Sequence, residues 1–442
     1  MAILFKLLGT SVLTLKLVPT LLYAMSAFLT WRAARRVFNS TTGQLAVPIV
    51  LWCAPAYGVW WSTKERGFYG VSILLVAAIL LIVTRLADRL TRRDALSLGL
   101  CAGLGWWTSP LLALVFVPAA LWLAVRRPRI IRLLPVLAVG ALLGAAPWLA
   151  WNMRYGWASL QQPPDYFGLG TVDRLHTGLV KIPALVGFAT PWDPDRTLIP
   201  AAGWVTALAL AIGLGVATTR SRHRAPFLLI ALLVGYGSLY PILNSTTSVG
   251  FDLRYLYLLL PSLSLLIGAL IPEVQRERRK ALVLAGVTAL AAGTSWWGLV
   301  GLQAARSADT TFLAAPGLDT VIKRLEEEGV SRVTTDGAGT QITFATGGRI
   351  QASSFAVPRF KDLEEVSWVE DRSTYVLDMS SRDSDNSGTL ERTLNARSLD
   401  YRREVYGNWV VYFLDSWLPP SQAGMRDPFG DVIPESNYYR DP

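Results

Sequence analysis

Apolar runs of near-bilayer length, broken by short polar stretches, recur along the chain from its start to about Leu302. A helix needs about 20 such residues to cross the hydrocarbon core. The runs near 12–31, 45–61, 67–86, 95–107, 109–125, 133–151, 200–219, 225–243, 253–271 and 281–301 predict ten spans. The fourth and fifth are short and share the turn "WWTSP", in which Pro110 opens the returning helix, so this pair is expected to be a tight helical hairpin with its tip in an interface.

From about Ser307 the pattern turns charged and polar, and a separate soluble domain is expected there. "GLDTVIKRLEEEGV" has the period of an amphipathic helix ending at Gly329. "SRVTTD", "GRIQASSF", "STYVLDM" and "NWVVYFLDSW" are rich in β-branched and aromatic residues and predict strands, which together make a small α/β domain. After Leu418 the composition shifts to Pro, Gly and Asp and predicts a disordered tail. The expected divisions are a transmembrane domain over 1–305, an α/β domain over 306–418 and a tail over 419–442.

Composition agrees with the pattern. Of 442 residues, 52% are hydrophobic and 17% charged, and the mean hydropathy is +0.36, whereas a soluble domain carries about 25% charged residues. The fold class is a polytopic α-helical membrane protein with a small C-terminal domain. Arg is concentrated in alternate connections: Arg32, Arg35 and Arg36; Arg85, Arg89, Arg92 and Arg93; Arg126, Arg127, Arg129 and Arg132; Arg220, Arg222 and Arg224; and Arg276, Arg278 and Arg279 with Lys280. Short cytoplasmic loops hold such an excess. These five loops are therefore expected in the cytoplasm, with 62–66, 152–199, 244–252 and everything after 302 outside. The expected localisation is the plasma membrane, with both termini extracytoplasmic. The net charge of +10 then records topology, and nucleic-acid binding is set aside because the cations are dispersed among loops. "MAILFKLLGTSVLTLKL" is too short for a signal peptide and has no cleavage site, so an N-terminus outside leads us to expect that the chain lacks its true beginning.

The chemistry-bearing residues are few. Cys53 and Cys101 fall inside spans, His176 and His223 stand alone, and no cluster has metal-ligand spacing. No cofactor is implied, and a divalent metal stays open. The stretch "WWSTKERGFYG" sets Lys64, Glu65 and Arg66 between two apolar runs on the expected outer side, where cations are scarce. Arg254 in "FDLRYLYLLLP" is a second such cation. Span-end cations can simply snorkel. The alternative is an anionic ligand, since Arg offers phosphate two parallel hydrogen bonds. Trp60, Trp61, Trp106, Trp107, Trp148, Trp151, Trp157, Trp204, Trp296 and Trp297 read either as an interfacial belt or, in part, as walls on which a sugar stacks.

"WWSTKERGFYG", "GLCAGLGWWTSP", "GAAPWLAWNMRYGWASL" and "LRYLYLLLP" occur in an order that resembles the GT-C class of membrane glycosyltransferases, relatives of protein O-mannosyltransferases and of the lipid A aminoarabinose transferase. The resemblance covers roughly residues 1–305. It implies transfer of a sugar from a polyprenyl-phosphate donor, itself a membrane lipid, to a glycan or protein acceptor on the outer face. It also implies that Lys64, Arg66 and Arg254 hold the lipid phosphate, with Tyr69 and Tyr255 donating hydrogen bonds beside them. Trp107 would help to bind the sugar, and Glu65 would be an auxiliary acid or orienting residue. The family's catalytic base is an Asp in the first outer loop, for which this sequence has no counterpart; Asp165 and Asp252 are outer carboxylates without a spacing argument for that role. Two other readings stay open: a non-catalytic membrane protein that keeps a lipid-phosphate groove, and a transporter, which would need broken helices near the midplane.

Overall fold

The computed structural model describes residues 2–9, 11–53, 58–59, 62, 68–160, 172, 205, 208, 212, 257–307, 317–336, 339–355, 372–379 and 385–425. The chain divides into two compact units, Met1–Leu302 and Gln303–Pro442. The expected spans at 200–219 and 225–243, and the loop expected at 62–66, fall almost wholly outside the described residues.

The first unit is helical. Its described helices are α1 (Ala2–Leu8), α2 (Val12–Val37), α3 (Thr41–Cys53), α4 (Tyr69–Asp88), α5 (Arg92–Thr108), α6 (Ala113–Arg126), α7 (Leu134–Arg154), α8 (Leu260–Leu270) and most of α9 (Glu277–Ser307). Three helical stretches among the described residues, Leu13–Val37, Tyr69–Asp88 and Pro128–Arg154, are long and apolar enough to cross a membrane. The expected hairpin is present. Thr91 caps α5 by accepting from the Asp94 nitrogen, Ser109 breaks the helix, and Pro110–Leu112 form a short 3-10 turn into α6. Leu112 packs on Gly105, where a Cβ would come within 2.9 Å of Leu112 Cδ2.

Alternating chain direction brings four of the five basic loops to one end, and named contacts tie them together. Arg36 pairs with Asp88 at 2.8 Å and Arg85 with the buried Asp94 at 2.9 Å. Arg127 donates from Nε to the Ala87 carbonyl at 2.7 Å and from Nη2 to the Asp88 carbonyl at 3.2 Å, capping the C-terminus of α4. Thr41 donates to Glu273 at 2.7 Å and accepts from Lys280 Nζ at 3.1 Å. The bond from Thr41 holds the Glu273 carboxyl below the usual carboxylate range. The fifth loop, 220–224, lies outside the described residues.

Two helices of this unit meet backbone to backbone. Gly99 and Gly103 of α5 face Gly140 and Gly144 of α7, two small-xxx-small repeats laid against each other. A Cβ at Gly103 would overlap the Ala141 carbonyl and lie 2.7 Å from the Ala145 nitrogen; one at Gly144 would overlap the Leu100 carbonyl and lie 2.7 Å from the Leu104 nitrogen. Each of the four positions admits only glycine at this separation.

The second unit is an α/β domain built on a five-stranded sheet of order β2-β1-β3-β5-β4. Its elements are α10 (Leu318–Glu327), β1 (Arg332–Thr335), α11 (Gly339–Ala345), β2 (Gln351–Ser354), β3 (Thr374–Asp378), α12 (Asn386–Ala396), β4 (Tyr401–Tyr406) and β5 (Trp409–Leu414). β1 runs parallel to β2 and β3, with Val333 opposite Ala352 and Thr334 opposite Tyr375; β5 is antiparallel to β3 and β4, with Val376 opposite Val411. Alternate residues of β5 serve two cores. Val410, Tyr412 and Leu414 pack with Leu390 and Leu394 of α12, while Trp409 and Val411 pack with Val321 and Leu325 of α10 and Ile342 of α11. A strand buried on both faces reads as a continuous apolar run, as "WVVYFL" does.

Residues 419–425, which composition assigns to the tail, are corrected by the structure. They form a turn in which Ala423 and Met425 are fully buried in the α12 core, and the Tyr375 hydroxyl and Ser373 Oγ both donate to the Leu418 carbonyl just before it. Two buried side chains outweigh the polar composition of the stretch.

Candidate active site at the aromatic end of the membrane unit

The end opposite the arginines is where the two described site residues, Tyr69 and Trp107, fall. α2 ends among the arginines, so its N-terminal half, the C-terminus of α3, the N-terminus of α4 and the C-termini of α5 and α7 share this end. Five of the seven singled-out residues, Lys64, Glu65, Arg66, Arg254 and Tyr255, lie outside the described residues. Tyr69 and Trp107 are described, as are the points at which the neighbouring segments attach.

Those attachments converge on one stretch of α2. The Thr20 hydroxyl lies 3.5 Å from the carbonyl oxygen of Ser62, while its shorter bond, 2.8 Å, runs to Lys16 in its own helix. Three residues on, the buried Tyr23 donates its hydroxyl to the Leu51 carbonyl near the end of α3. Its ring stacks on Tyr257 at 5.9 Å and 15°, and meets Trp52 at 5.8 Å. Residues three apart on a helix share a face. Beside them, Pro19 and Leu22 receive Gly70, where a Cβ would come 3.1 Å from Leu22 Cδ1. Tyr69 is accordingly buried, with its ring 4.4 Å from that of Phe68. Ser62 and Phe68 bracket 63–67, and Tyr257 follows 251–256 directly. One face of α2 thus receives the ends of both cation-bearing segments.

Trp107 closes α5 with 49% of its surface exposed. Its neighbour Trp106 begins an edge-to-face series, Trp106–Trp148 at 5.8 Å and Trp148–Trp157 at 5.9 Å. Such geometry suits ring quadrupoles. Asn152 fixes the last member. Buried on α7, it donates to the Trp148 carbonyl at 2.9 Å, and its Oδ1 accepts from Ser159 Oγ at 2.8 Å and the Ser159 nitrogen at 3.3 Å. The chain turns back through Gly156 and Trp157 at φ 58° and 62°. For a bulky residue this is an outlier, of the kind found where a side chain must be presented in one direction.

The sequence reading missed Thr20, Tyr23, Tyr257 and Asn152. Only Asn152 carried a signal, a lone amide within an apolar run. Among the described residues no three His, Cys, Asp or Glu side chains are grouped so as to hold a metal ion.

Comparison with known proteins adds the following. Residues 1–151 match the family model of dolichyl-phosphate-mannose-protein mannosyltransferases. The crystal structure of ArnT from Cupriavidus metallidurans in the apo state shares the fold: it matches with a TM-score of 0.60 and 12% identity, over 93% of this chain and 85% of that one. Curated protein sequences give no match. The chain is a polytopic membrane protein, and the GT-C resemblance read from its sequence is borne out, by the family match over its first third and by the fold along most of its length.

Proposed function

We propose that this protein is a membrane glycosyltransferase that moves a sugar from a polyprenyl-phosphate carrier to an acceptor outside the cytoplasm. The observation that carries this reading is the match of residues 1–151 to the mannosyltransferase family, a stretch that includes Lys64, Glu65, Arg66, Tyr69 and Trp107. Convergence of the ends of the two cation-bearing segments on one face of α2 supports it.

In this reading the carrier phosphate is the leaving group. Its charge grows as the glycosidic bond breaks, and Lys64, Arg66 and Arg254 stabilise it, with Tyr69 and Tyr255 donating hydrogen bonds alongside. Glu65 orients the cations or handles a proton, and Trp107 offers a ring face to the sugar. The positive-inside rule places the arginine-rich end in the cytoplasm and the aromatic end outside.

The test is binding and turnover with a panel of polyprenyl-phosphate hexoses and the full chain in membranes. Lys64→Ala and Arg254→Ala should each weaken carrier binding by about 1.5–3 kcal/mol, the range for hydrogen bonds to charged groups. Arg278→Ala and Arg402→Ala should leave it unchanged. Equal binding by all four variants would leave snorkelling as the explanation of the outer cations and overturn the proposed groove.

A further inference from the structure

The arginine-rich end has a feature that sugar transfer does not use. α2, α4 and α6 all terminate there, and between them lies a cleft lined by Arg36, Thr84, Asp88, Trp122 and Arg126. Its cations are unequally engaged. Arg36 is paired with Asp88, and the adjacent Arg127 is spent on the carbonyls that end α4. Arg126 has neither a hydrogen-bond nor an ion-pair partner among the described residues. Asp88 gives Oδ2 to Arg36 and keeps Oδ1 as an acceptor. Trp122 supplies an apolar wall, and an indole settles at the depth of lipid headgroups.

We propose that this cleft binds the headgroup of an anionic phospholipid of the inner leaflet. The phosphodiester sits on the Arg126 fork, and headgroup hydroxyls donate to Asp88, a combination that phosphatidylglycerol provides. Around the cleft, Arg89, Arg92, Arg93, Arg129 and Arg132 are all exposed, and the surplus of guanidinium groups attracts an anionic leaflet. An ethanolamine lipid also carries a phosphate, but its ammonium would enter this surplus against like charge. The site stands apart from the outer groove, so it holds or fails independently of sugar transfer.

The experiment uses the full chain in mixed micelles and reads lipid enrichment by native mass spectrometry. Phosphatidylglycerol should be enriched over phosphatidylcholine, and Arg126→Gln should lower that enrichment about tenfold, as expected for loss of a charge-assisted contact. Arg132→Gln removes the same charge from the same end outside the cleft and should change it by less than about twofold. Equal losses in the two variants would show a diffuse surface effect and overturn the site. So would enrichment of phosphatidylethanolamine matching that of phosphatidylglycerol, or displacement of the lipid by an equal concentration of inorganic phosphate. If Arg126→Gln does not fold in phosphatidylcholine, Arg126→Lys carries the test: it keeps the charge, loses the fork, and should cut enrichment about threefold. Unchanged enrichment in that variant overturns the proposal.

Discussion

The α5–α7 contact and the core of the sheet domain solve the same problem by opposite means. In the sheet domain, elements are held together by what their side chains fill: Leu390, Leu394, Val410 and Tyr412 are fully buried in one layer and Val321, Leu325 and Val411 in another. Removing these groups from water supplies the driving force. Between α5 and α7 the contact is made by the absence of side chains at Gly99, Gly103, Gly140 and Gly144. The bulk of α7 faces the other way, with Val139, Leu142 and Leu143 more than half exposed. In water that face would be a liability. In lipid it costs nothing, because acyl chains are as apolar as leucine, and helices associate instead through close backbone packing. Solvent decides which residues count as a core.

The sharpest way to break this comparison is Gly103→Leu, whose side chain would have to occupy the Ala141 carbonyl. The expected loss exceeds about 4 kcal/mol, read from denaturant titration of the full chain in micelles. Gly286→Ala in α9, where a Cβ meets nothing within 4 Å, should change stability by less than about 1 kcal/mol. If both glycines tolerate substitution equally, close approach is not what joins α5 and α7. Next in size, Leu390→Ala should cost the sheet domain about 2–5 kcal/mol. Hydrogen exchange in the full chain should rise across β3 and β5 and stay constant in α5 and α7; a rise in both units would mean that their stabilities are coupled.

Asn152→Ala tests whether a membrane helix can also depend on a side chain. Loss of the bonds to Ser159 should cost about 1–3 kcal/mol locally and raise exchange at Trp157 and Leu160. The smallest effect concerns Glu404 on β4. It accepts from Arg324 at 3.0 and 3.2 Å and from the Tyr406 hydroxyl at 2.5 Å, and these bonds, those of Arg324 first, hold its carboxyl below the usual range. Because the folded value is the lower one, this stabilisation is complete above the unfolded carboxylate range and is lost as pH falls through the folded value. Glu404→Gln should flatten that acid limb in exchange measured at β4 by lowering protection at neutral pH, with the two forms converging in acid. An unaltered limb would assign acid sensitivity to other carboxylates.

Much of this architecture was legible in the hydrophobic pattern. Runs expected at 67–86 and 133–151 became Tyr69–Asp88 and Leu134–Arg154, and the "WWTSP" turn became the break between α5 and α6. Helix ends drifted by a few residues, since apolar content marks the bilayer while caps such as Thr91 mark the helix. Four strands were anticipated, but β4 was not. Its sequence, "YRREVY", is a polar edge strand whose Arg402 covers the Phe413 ring at 4.5 Å and pairs with Glu328 at 2.8 Å, so it lacks the apolar run that marks β3 and β5. The paired glycine repeats went unread because each looks ordinary alone; what matters is that the two repeats face each other. The same holds at the candidate site. Lys64, Arg66 and Arg254 were visible as cations out of place, whereas Thr20 and Tyr23 mean something only once Ser62 and Tyr257 stand against them.

The left-handed backbone at Trp157 sets selection for stability against selection for a side chain. An indole there holds a conformation that costs about 1–2 kcal/mol for a residue with a Cβ, so Trp157→Gly relieves strain and removes the ring in one step. Mutational libraries screened for yield alone would drift toward that substitution, and libraries screened for whatever the indole contacts would reject it. The frequency of glycine at this one position would then reveal which pressure a population had experienced.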